Sequence, residues 1–184
     1  VQRHMLAGDV SAAQALLAAH AGSARGPVAV AHHALARARM HRVVWAAGGT
    51  DDTRELLQAT RAAEVALAAA RRGRLPAERR EALLHRAYVR ARLGDGAVAA
   101  ADARRAVGAW LEDERIVESR LAGVPEWPVP WLLADAAFAL SSGHDPLGRI
   151  LGDLAAARQW PCDARPLGWL GHPVATTAVA AAPP

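Results

Sequence analysis

Two kinds of helix breaker alternate along the sequence, and this alternation restricts the fold more than any other feature. Glycine-centred turns fall at Gly8-Asp9, Gly48-Gly49-Thr50-Asp51, Gly94-Asp95-Gly96 and Ser141-Ser142-Gly143-His144-Asp145. Proline-bearing connections lie between them, from Gly22 to Pro27, Gly73 to Pro76 and Gly123 to Pro130, with another from Pro161 onward. Glycine ends a helix in the left-handed conformation, whereas proline is tolerated in the first turn of the next one. The chain therefore reads as helix, glycine turn, helix, proline connection, repeated. The turns recur about every 40–49 residues, room for a pair of helices of roughly 16–20 residues each.

The segments between breakers carry the helical period. After Pro27, Val30, Ala31, Ala34, Leu35 and Ala38 share a face. Thr50-Asp51-Asp52-Thr53 supplies an N-cap and early negative charge, and Leu56, Thr60, Ala63, Leu67 and Ala70 follow at three-four spacing. Leu83, Leu84, Ala87, Tyr88 and Ala91 form one stripe, and Val98, Ala99, Ala103, Ala106, Val107, Trp110 and Leu111 its partner. A shorter pair comprises Trp131 to Leu140 and a helix capped by Asp145 and started by Pro146, with Leu147, Ile150, Leu151 and Leu154. Hydrophobic residues make up 52% of the 184. About half of them are alanine, and Leu, Ile, Val and Phe reach only about a fifth of the chain, close to the limit for a compact core. With one Tyr and one Phe the chain cannot supply the period-two runs of an all-β domain. Alanine at recurring contact positions instead lets helix axes approach closely.

All 22 basic residues are arginine, set among 18 acids, for a net charge of +4. That excess is modest and interleaved, which disfavours nucleic acid as a partner and reads the arginines as solvated helix faces. The arginine-only, alanine-rich usage fits high-GC bacterial coding. The single cysteine, Cys162, excludes an intrachain disulfide and a Cys₄ or Cys₂His₂ zinc site. No apolar run reaches a membrane span and no signal-peptide core is present, so no membrane association and a cytoplasmic location are expected. A chain that begins with Val1 fits a piece of a longer protein.

The stretch Ala87-Tyr88-Val89-Arg90-Ala91-Arg92-Leu93-Gly94-Asp95, followed by Ala99, Ala103 and Ala106, resembles a tetratricopeptide-type repeat. Ala87, Gly94, Ala99 and Ala106 fall on that family's small-residue and turn positions. Leu6-Ala7-Gly8-Asp9-Val10 with Ala13 and Leu17 is similar to the same turn and second helix. The spacing exceeds the standard 34-residue unit, so long-helix variants, as in bacterial signal-transducing regulators, are nearer. The resemblance implies an all-α fold of stacked antiparallel helical hairpins, a tetratricopeptide-like α-solenoid fragment. Residues 1–160 would form the hairpin domain and 161–184 a C-terminal capping segment and tail. It also implies a groove lined by first-helix residues, with Arg37, His41, Tyr88 and Arg92 as candidates. Arginine suits carboxylate or phosphate groups there, although the family's carboxylate clamp uses Lys and Asn, which this chain lacks.

Other constellations are weaker. His32, His33 and His41 have no i,i+4 pair and no acid in reach on their helix, so no metal site and no cofactor are expected. Asp51-Asp52-Thr53-Arg54-Glu55 is similar to the acid-rich motif of terpene and prenyl synthases, but a second acidic motif is missing and a helix start explains it. No serine has a nucleophile-elbow context, and Cys162 follows Pro161 with no local base, so no catalytic residue is assigned. Trp127-Pro128-Val129-Pro130-Trp131 sets two tryptophans at fixed spacing, either as partner anchors or as plugs between hairpins. The leading expectation is an interaction module for a protein or peptide partner, an assembly subunit or the sensor part of a regulator, without chemistry of its own; a homodimer fits as well. The alternative is a small all-helical enzyme or ligand-binding protein of a biosynthetic pathway with a Trp- and His-lined pocket. A closed pocket holding His32, His33 or His85 beside Arg would favour the alternative, and an open face with exposed Arg and Trp the first.

Overall fold

A computed structural model describes residues 9–48, 53–111 and 129–157. Seven helices and no strand occupy the described residues: α1 (Val10–His20), α2 (Gly26–Gly48), α3 (Thr53–Gly73), α4 (Pro76–Arg92), α5 (Gly96–Leu111), α6 (Val129–Ser142) and α7 (Pro146–Ala157). The all-helical expectation thus holds. Asp51, Asp52, Trp127, Cys162 and the segment 161–184 lie outside the described residues, as do the side chains of Trp110, Trp131 and Leu154.

Each helix packs against its neighbours in the chain, and the even-numbered helices also meet one another, α2 on α4 and α4 on α6. The main core lies where these layers meet. It is built from Ala34, Leu35, Ala66, Leu67, Leu83, Leu84, Ala87, Ala99, Ala103, Val107, Leu140 and Leu151, among others. Alanines from facing helices make up much of it, as the close approach of helix axes requires. Ala13 and Leu17 of α1 form a separate small cluster with Met40 and Val43 of α2.

Three helices end alike. The N–H groups of Leu75, Asp95 and Asp145 donate to the carbonyls of Ala70, Arg90 and Leu140, each at 2.9 Å, the closing bond of a helix whose terminal residue turns left-handed. Glycine fills that left-handed position only at Gly94 (φ 86°); elsewhere Arg74 (φ 54°) and His144 (φ 57°) hold it. The expectation that glycine supplies the left-handed turn is therefore corrected at Gly143. Glycine is needed there for space, since a Cβ would lie 2.5 Å from both Ala100 Cβ and the Gly96 carbonyl oxygen. Asp145 caps α7 through the Leu147 N–H at 3.0 Å and also accepts from Nε and Nη2 of Arg104, at 2.7 and 2.8 Å.

Candidate functional site

The even-numbered helices meet through a polar network that the sequence reading did not assign. Arg42 of α2 is fully buried and grips Asp135 of α6 with two bonds of 2.7 and 2.8 Å. Its Nη1 also donates to Nδ1 of His85 on α4, at 2.8 Å. Guanidinium nitrogens only donate, so His85 Nδ1 must carry the lone pair and the proton must sit on Nε2. Nε2 then donates to Glu81 at 3.3 Å, and Arg39 of α2 donates to the same Glu81 oxygen. The Arg42 guanidinium also lies 3.8 Å from the centre of the Tyr88 ring, a cation–π stack in a dry setting.

The charges in this strip follow from that geometry. Burial, together with the nearby Arg42 charge, outweighs the bond to Glu81 and holds His85 below its usual pKa. A second proton on Nδ1 would point at a guanidinium N–H. Burial works against the Glu81 carboxylate, yet the His85 bond and the Arg39 charge prevail and bring its pKa down to about 2. One helix over, Asp102 of α5 is 1% exposed and accepts two 2.8 Å bonds from Arg86 of α4.

The candidate residues drawn from the sequence fall into separate places. Tyr88 is 0% exposed and presents no surface to a groove. Arg92 donates to its hydroxyl at 3.1 Å and sits 4.5 Å from the Phe138 ring centre and 5.6 Å from that of Trp45. His41 faces the other way and donates from Nδ1 to Glu55 of α3 at 2.7 Å. Its Nε2 and the Trp45 Nε1 are buried without a hydrogen-bond partner. Arg37, exposed, joins Arg61 and Gln58 on the rim of an open cleft of about 260 Å³ between α2 and α3, floored by Ala34 and Ala62. Trp131 belongs to α6. The structure therefore brings Tyr88 and Arg92 together on one side of α2 and places Arg37 and His41 on the side facing α3.

The histidines do not converge either. His32 donates to Glu78 at 2.9 Å, His33 to the Leu17 carbonyl at 3.0 Å and His41 to Glu55. Among the described residues no group of three His, Cys, Asp or Glu side chains could hold a metal ion. No helix among them is long and apolar enough to cross a membrane.

The buried network did leave a trace in the sequence. Asp102 and Asp135 are each the sole acid of an alanine-rich apolar helix, and a lone carboxylate on such a helix needs a buried cationic partner. Which arginine answers it depends on how the helices pack, and that is not written in the spacing. No family model, curated protein or solved structure matches the chain.

Proposed function

We propose that the chain is an interaction module, a tetratricopeptide-like stack of antiparallel helical hairpins that binds a protein or peptide partner and performs no chemistry itself. The observation that carries this reading is the packing order: the first helix of each hairpin, α2, α4 and α6, lies against the next, while each second helix packs beside its own first. Such an order yields an extended, rigid surface rather than one enclosed cavity. The ionisable groups at its centre support the same reading, because Arg42, Asp135, His85 and Glu81 satisfy one another.

The alternative of a small helical ligand-binding protein draws on His32 beside Arg39 and His33 beside Arg37, both in open rather than closed clefts, and on the buried pair of His85 and Arg42. That pair is enclosed by Tyr88 and Asp135 side chains rather than by open space, which favours a structural staple. Native mass spectrometry of the protein isolated from its own cells decides between them. A stoichiometric protein partner is expected, and a bound small molecule without one would overturn the reading.

A further inference from the structure

We infer that the arginine-rich shoulder where α3 turns into α4, continuing into the groove between α4 and α5, docks an acidic peptide segment of a partner protein. This deepens the interaction-module reading and rests on it. Two open clefts adjoin there and share Pro76 and Arg79 as a common wall. The first, of about 360 Å³, is edged by Arg71, Arg74 and Arg79; the second, of about 240 Å³, by Arg79, Arg80 and Arg105. No acid lines either cleft among the described residues, in a chain whose net charge is only +4. Arg71, Arg74, Arg79 and Arg105 are exposed, so their guanidinium forks can meet carboxylates without rebuilding the core. Glu78 and Glu81 pair with His32, Arg39 and His85 between α2 and α4, and the buried Asp102, held mainly by Arg86, lies 3.5 Å from Arg105, whose side chain stays mostly exposed.

The turn itself contributes. Arg74 adopts the left-handed backbone with φ 54°, a conformation glycine takes at lower cost, so a charged side chain stands where a small one would be easier. Leu75 at the head of α4 offers no side-chain cap, and the one acid of the first turn, Glu78, turns away to His32. The clefts also have apolar floors, Ala70 and Leu75 in one and Leu83 and Val107 in the other. Arginines over apolar floors suit a peptide in which acidic and apolar residues alternate. Among the described residues no aromatic ring lines either cleft, so they supply no stacking platform of the kind single-stranded nucleic acid uses.

Fluorescence anisotropy of the full chain tests this with three labelled probes: a peptide of alternating Glu and Leu, its Gln-Leu counterpart, and a single-stranded oligonucleotide. The Glu-Leu peptide is expected to bind best and to weaken at least tenfold as salt rises from about 0.05 to 0.5 M, because screening removes exposed charge attraction. Arg74→Glu with Arg79→Glu, both at exposed sites, should cost at least tenfold in affinity while the helical circular dichroism stays unchanged. Equal binding of the Gln-Leu peptide, tighter binding of the oligonucleotide, or indifference to the double reversal would overturn the inference. Loss of binding on Arg37→Glu with Arg61→Glu instead would move the peptide to the α2/α3 cleft. That outcome defeats this site and leaves the interaction-module reading standing.

Discussion

His85 shows how one buried side chain can set the pH response of a whole domain. It is fully buried and its lone pair faces Arg42, and these outweigh the bond to Glu81, so the folded chain keeps it neutral, with a pKa below the usual 6.5. The unfolded chain binds a proton there as pH falls through about 6.5, and the folded chain does not, so stability is lost below that value. Glu81 adds a second loss at lower pH: it ionises at about 2 in the fold against 4.5 ordinarily, so its contribution fades between those limits. Urea unfolding between pH 8 and pH 5 should show the midpoint falling below pH 6.5. In His85→Gln, whose amide can accept from Arg42 and donate to Glu81, that slope should flatten. An unaltered slope in the variant would refute the assignment. The sequence offered His85, with His32 and His33, as a histidine to watch beside an arginine, without saying which arginine. Its neutral state comes first from burial and then from a guanidinium 43 positions earlier.

At the scale of elements, the breaker pattern was read well and the role of individual glycines less well. The helix pairs and their joints at Gly22–Pro27, Gly73–Pro76, Gly94–Gly96 and Ser141–Asp145 stand where the alternation put them. The α5/α6 crossing was not legible, because it depends on two chain segments meeting backbone to backbone. A Cβ on Gly96 would fall 2.1 Å from the Ser142 carbonyl oxygen and 2.7 Å from its carbon. Backbone cannot yield as a side-chain tip can, so Gly96→Ala should destabilise by roughly 1–3 kcal/mol. Among the described residues nothing lies within 4 Å of a Cβ added to Gly152 of α7, so Gly152→Ala should stabilise by about 0.5–1 kcal/mol through reduced chain entropy. Thermal unfolding of the two variants side by side checks the contrast, and a neutral Gly96→Ala would remove the close crossing from the account.

Across the whole molecule, Arg42 and Asp135 tie α2 to α6 across α4, 93 positions apart in the chain. Removing one partner strands a buried charge, so Asp135→Ala should cost about 3–5 kcal/mol, whereas Arg42→Met with Asp135→Leu should cost far less. Denaturant titration of both variants reads this directly, and a loss under about 1 kcal/mol for Asp135→Ala would mean the pair is not a staple. The same long-range packing divided the sequence candidates, burying Tyr88 with Arg92 beside it and turning Arg37 and His41 toward α3. It also gathered arginines that look interleaved in the sequence into one shoulder, because Glu78 and Glu81 face another side of α4 and Asp102 is buried beneath α5. By itself the sequence determined that the chain is helical, where its helices break and which alanine stripes turn inward, since propensity, capping and the 3.6-residue period are local. Only the tertiary structure decided which charges are buried together and which remain on the surface. Those pairings join residues tens of positions apart, and a guanidinium finds its carboxylate through the packing of helices, not through their spacing in the chain.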